Sequence, residues 1–357
     1  MEARLQKIID SVQALNPRWE EEAWKKLDNL TKPPRSLGRL EELVCQIVSV
    51  QESHSPAVDP ARFYAIAGDH GIAEEGITRY PQEVTRQMVE NFIEGGAGIN
   101  VLVDTLGAEL YVVDAGCVGG TFPEHPRLLQ YKVAQGTGNF TREPAMDRET
   151  VLKALLLGVQ LADEAHKDGI KTLGTGEMGV SNTSSSTALY CAMFGLDPLE
   201  ITGPGGGITP EMVQKKAGLI AKGLATHAET IATGDLLDIF GAIGGLEITT
   251  LCGMIIGGAA NRQMVCVDGF ISTAAYAMAW KLCPVVKEYC VISHASAEPG
   301  HKKALEIMNL DPYLDLGMKL GEGSGAAVVH YLLRCAVNCY NDMASFEEAG
   351  VDAGGCD

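Results

Sequence analysis

Apolar residues along the first 58 positions recur at helical spacing. Met1 to Ile9 reads as an amphipathic helix, Asn16-Pro17 breaks it, an acidic tryptophan-containing segment follows, and Leu37 to Val50 (LGRLEELVCQIVSV) keeps a 3.6-residue period. From Phe63 the pattern changes to short apolar runs that end in glycine-rich or acidic turns, each followed by a helical segment. The candidate strands are Phe63-Ala67, Glu109-Val113, Thr172-Leu173, Ile239-Phe240, Val265-Val267 and Val291-Ile292. Helical periodicity returns from about Leu316 to Cys339. This order predicts an α/β fold with a doubly wound parallel sheet of the Rossmann-like kind over residues 59–315. Residues 1–58 together with 316–357 are expected to form a small helical domain beside it. In such a sheet, ligands sit at the carboxyl ends of the strands, so the chemistry is expected in those loops.

Composition narrows the classes. The chain has 357 residues, 46% of them hydrophobic, and a formal net charge of −18. That charge argues against nucleic acid or an anionic membrane surface as a partner, since both require a positive field. No 18-residue apolar span and no basic-then-apolar leader is present, so a cytoplasmic protein is expected. The ten cysteines are scattered, many within apolar runs such as Met264-Val265-Cys266-Val267, and form no CxxC pair. Buried free thiols are the expectation, rather than disulfides or zinc ligands.

Several strand-end loops could carry chemistry. Ala67-Gly68-Asp69-His70-Gly71 offers a carboxylate and an imidazole. Adjacent residues on an extended loop point apart, which favours Asp69 as a cap on loop amides over a metal or acid-base pair. The turn from Gly76 to Thr85 mixes aromatic, hydroxyl and amide groups suited to a flat ring. The loop from Leu173 to Thr183 and the loop Thr202-Gly203-Pro204-Gly205-Gly206-Gly207-Ile208, followed by Lys215-Lys216, expose backbone N–H groups. Together they favour an anion site, although the GK[ST] ending of a Walker A loop is missing. In Ser293 to His301, Glu298 and His301 are expected to order the loop. Lys32-Pro33-Pro34-Arg35-Ser36-Leu37-Gly38 is expected to cap a helix behind a stiff approach. In Leu320-Gly321-Glu322-Gly323-Ser324-Gly325 a single carboxylate stands among glycines just before an apolar run. Its position suits either the first turn of a helix or a general base that glycine lets approach a ligand.

Taken in order, these segments resemble a known family. Lys32 to Gly38, Asp69-His70-Gly71, Pro81-Gln82-Glu83-Val84-Thr85, Gly176-Glu177-Met178-Gly179 with Asn182-Thr183, Gly244-Gly245-Leu246-Glu247, Asp268-Gly269-Phe270 and Leu320 to Gly325 are similar to motifs of the nicotinate-nucleotide:dimethylbenzimidazole phosphoribosyltransferases. The resemblance implies a phosphoribosyltransferase that takes nicotinate mononucleotide and an aromatic base and makes the α-ribazole phosphate of cobamides. It also implies a dimer with active sites near the subunit interface, and no cofactor or metal. Glu322 is implied as the general base. Gly176, Glu177, Met178, Gly179, Ser181, Asn182, Gly205, Gly206, Lys216 and Ser293 are implied to hold the phosphoribosyl group and nicotinate. Thr78, Tyr80, Gln87, Met88 and Leu320 are implied around the acceptor. This chain departs from many members in having Thr78-Arg79 where they have small residues, Ser181 where they have glycine and Gly206 where they have threonine. The acceptor could therefore be a benzimidazole, a purine or a phenol. A reading of another class is a metal-dependent phosphohydrolase built on Asp69, His70, His294 and His301; a third is a nucleotide-binding subunit without catalysis.

Overall fold

The run Ala61–Gly68 (β1) is buried at every position, the pattern of a strand covered on both faces. In the computed structural model, which describes residues 1–352, β1 is central. It pairs in parallel with Glu109–Gly116 (β2) on one side and, on the other, with a strand reached later in the chain, Thr172–Met178. Leu128–Leu129 (β3) extends the first side; Thr172–Met178 (β4), Met264–Val267 (β5) and Cys290–Ile292 (β6) form the second. The order β3-β2-β1-β4-β5-β6, with every pairing parallel, is a doubly wound α/β sheet. The winding reverses between β1 and β4, which places a crevice beyond their carboxyl ends.

Two departures from the expected elements have local causes. Ile239-Phe240 is helical, within Leu236–Ile243, because Asp235 accepts N–H bonds from Leu237 (3.0 Å) and Asp238 (3.2 Å) and starts a helix buried over most of its length. At eight residues it spans barely two turns, too few repeats for its period to be told from a short apolar strand. β4 in turn runs on to Met178, so Gly176 and Glu177 belong to a strand rather than a loop. Gly176 has no Cβ where the Glu322 backbone carbonyl packs against it, and any larger residue would push that segment away. The two-residue strand β3 lies in a stretch with no strand signal.

Helices cover both faces of the sheet. Leu246–Ala260 is almost wholly buried against Arg148–Lys167. Burying each of its Ile and Leu side chains contributes about 1.5–3 kcal/mol. Pro17–Asp28 opens on Asn16, whose side chain accepts from Arg18 N, and packs on Arg39–Gln51. The long helix Ser324–Asp342 packs on Arg39–Gln51 and reaches β4 and β5, and Leu30 bridges to Ser345. The segment from Lys32 to Gly38 leads into Arg39–Gln51 but supplies no side-chain cap, since the N-cap residue of that helix is Gly38; Lys32 pairs with the buried Glu41 at 2.8 Å, Glu41 accepts from Leu37 N, and the Arg35 guanidinium lies over Trp24. Cys45, Cys117, Cys191, Cys252, Cys266, Cys283 and Cys290 are buried free thiols. Cys356 lies outside the described residues.

Candidate active site

A cavity of about 420 Å³ occupies the crevice beyond the ends of β1, β4 and β5. One wall is the turn before the helix Ser324–Asp342. Glu322 sits there at φ +63, between Gly321 at +80 and Gly323 at +94. Three consecutive left-handed residues cost a non-glycine side chain energy, and the flanking glycines confine that cost to position 322. The Glu322 carboxylate accepts from the Ile99 amide at 3.3 Å and lines the cavity while remaining buried. Burial raises its pKa, the Ile99 amide opposes that, and the Asp268 carboxylate adds to the rise.

Across from it, Glu177 at the end of β4 is also buried and accepts a hydrogen bond from the Asn182 side-chain amide. Loss of solvent, reinforced by the nearby carboxylates of Glu247 and Asp268, pushes its pKa up to about 8. At neutral pH this side chain is largely protonated. Gly321 packs against its other oxygen, Oε1.

The floor is the start of the helix Asn182–Phe194. Ser181, the N-cap of this helix, holds a left-handed conformation at φ +76. Its Oγ and that of Ser184 are buried and have no hydrogen-bond partner, and both residues line the cavity. The start of this helix, with the positive end of its dipole, borders the same space. Lys216, from the helix Pro210–Thr226, reaches in behind the glycine loop and donates to Thr183 Oγ1 at 2.7 Å and to the Gly203 carbonyl at 3.4 Å. Burial lowers its pKa to about 8, partly opposed by Glu298. The far wall is apolar and aromatic. Ile77, Val84 and Met88 line it, and half-exposed Tyr80 lies over Gly206, where a Cβ would stand 3.1 Å from the ring.

Most residues singled out in the sequence thus converge on one cavity: Thr78, Tyr80, Met88, Glu177, Met178, Gly179, Ser181, Asn182, Gly205, Gly206, Lys216, Leu320 and Glu322 all line it. Three do not. Gly176 lies behind the lining against Glu322. Ser293 is fully buried, its hydroxyl 3.0 Å from His294 Nδ1. Gln87 is exposed on the outer side of the helix Glu83–Glu94, because the helical turn that aims Met88 inward carries its neighbour outward. Asp268, named in the sequence only as part of a motif, and Glu298, read as ordering its loop, also line the cavity, as do Ser272 and Lys319, to which the sequence assigned no site role. Asp268 had a signal, an acidic residue directly after the strand β5 and before a glycine.

His301 orders its loop as expected, accepting from Ser296 N at 2.9 Å, but Glu298 faces the cavity and Lys216. Asp69 caps a loop amide, that of Val118 at 2.8 Å, while His70 turns the other way between Ser185 (3.0 Å) and Glu247 (2.6 Å). The four residues of the metal-hydrolase reading are therefore dispersed. Among the described residues, no three His, Cys, Asp or Glu side chains gather in a geometry that could hold a metal ion.

Comparison with known proteins places the chain and its fold in one family. Residues 12–351 match the phosphoribosyltransferase family model DBI_PRT. A nicotinate-nucleotide–dimethylbenzimidazole phosphoribosyltransferase of Nitratidesulfovibrio vulgaris (strain DP4) is 52% identical over 352 residues, covering 98% of this chain and 99% of the relative. The enzyme of the same name from Oleidesulfovibrio alaskensis is 56% identical over 326 residues, 91% of each chain. The crystal structure of CobT from Thermus thermophilus superposes with a TM-score of 0.88 at 38% identity, covering 95% of this chain and all of that one. The chain belongs to the nicotinate-nucleotide–dimethylbenzimidazole phosphoribosyltransferase family.

Proposed function

We propose that this enzyme transfers the 5-phosphoribosyl group of nicotinate mononucleotide to an aromatic base of the benzimidazole type, with Glu322 as proton acceptor. The observation that carries this reading is the buried Glu322 carboxylate, on a strained turn, facing one cavity with the anion-suited floor and the apolar wall. In nicotinate mononucleotide the pyridine nitrogen is cationic. When its bond to the ribose anomeric carbon breaks, the electron pair returns to the ring and nicotinate leaves without a developing negative charge on that nitrogen. The incoming azole nitrogen forms the new bond to that carbon, and Glu322 takes the proton from the azole's other nitrogen. General-base help of this kind is typically worth about 10²–10⁴ in rate, and alignment of the two substrates supplies a further large share.

Lys216, the Ser181 and Ser184 hydroxyls and the positive end of the helix dipole suit the phosphoribosyl phosphate. Protonated Glu177 can donate a hydrogen bond to the ribose or to the departing nicotinate. Ile77, Val84, Met88 and Tyr80 suit the flat acceptor ring. Leu320 and Tyr80 are both exposed apolar groups at the cavity mouth, which supports a dimer in which a second copy covers it. The buried free thiols fit a reducing cytoplasm. The test is to incubate the pure enzyme with nicotinate mononucleotide and a panel of benzimidazoles, purines and phenols, and to identify products by mass. Transfer to a benzimidazole, lost in Glu322→Gln, is expected. No transfer to any acceptor would overturn the reading, and preferential transfer to a phenol would replace the acceptor class.

A further inference from the structure

The N-terminus of the helix Ser324–Asp342 lacks a side-chain cap of its own, because its N-cap residue is Gly323. The cap comes instead from 55 residues earlier in the chain. Asp268, directly after β5, is 1% exposed; its Oδ2 accepts from Gly323 N at 3.1 Å, and its Oδ1 accepts from Gly325 N at 2.7 Å and Ala326 N at 3.2 Å. The Asp268 backbone N–H is fixed in turn by Thr175 Oγ1 (2.9 Å), whose own hydroxyl donates to the Cys266 carbonyl at 3.2 Å. One carboxylate thus ties the left-handed Gly321-Glu322-Gly323 turn to β4 and β5.

We propose that Asp268 is the positioning residue for Glu322: its buried carboxylate caps the helix from another strand and holds the turn that aims the base into the cavity. This rests on Glu322 being the proton acceptor. Two consequences follow from the geometry. The left-handed backbone at Glu322 is otherwise unfavourable, and three charge-assisted N–H bonds offset that cost. The Asp268 charge also faces the Glu322 carboxylate and makes Glu322 a stronger base than burial alone would. The other groups facing this pair are His294, with Nδ1 3.8 Å from Asp268 Oδ1, and Glu177, with the Lys216–Glu298 pair and Lys319 also lining the cavity. His294 partly offsets the Asp268 charge, but its own pKa is lowered by burial, so that offset is small at neutral pH.

The test is Asp268→Asn, which keeps the shape, accepts through one oxygen only and removes the charge. A fall in kcat of at least about tenfold is expected, with KM for nicotinate mononucleotide within a few-fold. The acid limb of log kcat should move to lower pH, because Glu322 loses a neighbouring negative charge, and Asp268→Glu should restore part of kcat. Unchanged kcat and acid limb would overturn the proposal. So would a loss of kcat with a raised KM and an unmoved acid limb, or failure of Asp268→Asn to fold, since each would make Asp268 a general structural group. A crystal structure of Asp268→Asn reads the Gly321–Gly323 turn independently of activity. The base reading fails separately, if folded Glu322→Gln keeps near-normal turnover whatever Asp268→Asn does.

Discussion

The end of β4 and the turn before the last long helix each place one carboxylate in the same cavity, and they treat it differently. Glu177 lines the cavity yet is buried, with the carboxylates of Glu247 and Asp268 nearby, and is held up to about 8, so it is largely protonated at neutral pH. Glu322 is also raised by burial and by Asp268; the Ile99 amide opposes that rise as the Asn182 amide does at Glu177, but Glu322 lacks the Glu247 charge that presses on Glu177. Environment rather than residue type moves both carboxylates from their ordinary range, and buried titratable groups that share a cavity are candidates for acid and base roles. Solvation and neighbouring charge decide which is which.

The largest expected effect is on the base side. Glu322→Gln should fold, bind nicotinate mononucleotide within a few-fold of the parent and lose about 10²–10⁴ in kcat; steady-state kinetics with calorimetric binding would show it, and a loss confined to KM would erase the distinction between the two carboxylates. Lys216→Ala comes next. Loss of one charge-assisted contact to a phosphate, about 1.5–3 kcal/mol, should raise KM for nicotinate mononucleotide by about 10- to 100-fold, with kcat much less affected.

Glu177 is tested through stability. Its folded pKa of about 8 lies above the ordinary carboxyl value of 4.5, so its contribution to stability is fully present below about pH 4.5 and is lost as pH rises through about 8. The unliganded parent should therefore lose more Tm between pH 5 and 9 than Glu177→Gln does, by scanning calorimetry; parallel curves would mean that Glu177 is ionised throughout. The smallest effect concerns the acceptor wall. Gly206→Thr puts a Cβ against the Tyr80 ring and should change KM for the acceptor several-fold, read by steady-state kinetics at saturating nicotinate mononucleotide.

The helical period of Arg39–Gln51 and Ser324–Asp342 and the alternation of short apolar runs with helices were legible because each is a local pattern with a fixed repeat. Leu236–Ile243 was not: at eight residues it holds barely two helical repeats, and its short apolar core reads equally well as a strand. β3 is too short to leave a pattern. Among site residues, those within glycine-rich motifs, such as Glu177 and Glu322, stood out. Glu298 looked like a loop-ordering group, since nothing local says that Lys216, 82 positions earlier, faces it across the cavity. Gln87 and Met88 are adjacent in sequence, and only the rotation of their helix puts one in the cavity and the other outside.

By itself, then, the sequence determined the order of helices and strands, the glycine-rich turns and the residue types available for chemistry, because these depend on periodicity and on single-residue backbone preference. Which residues share a cavity, which carboxylate keeps its proton and which strand caps the helix behind Glu322 were decided only by the tertiary structure. Those outcomes depend on desolvation and on charges brought together from positions far apart in the chain, and no local pattern encodes either.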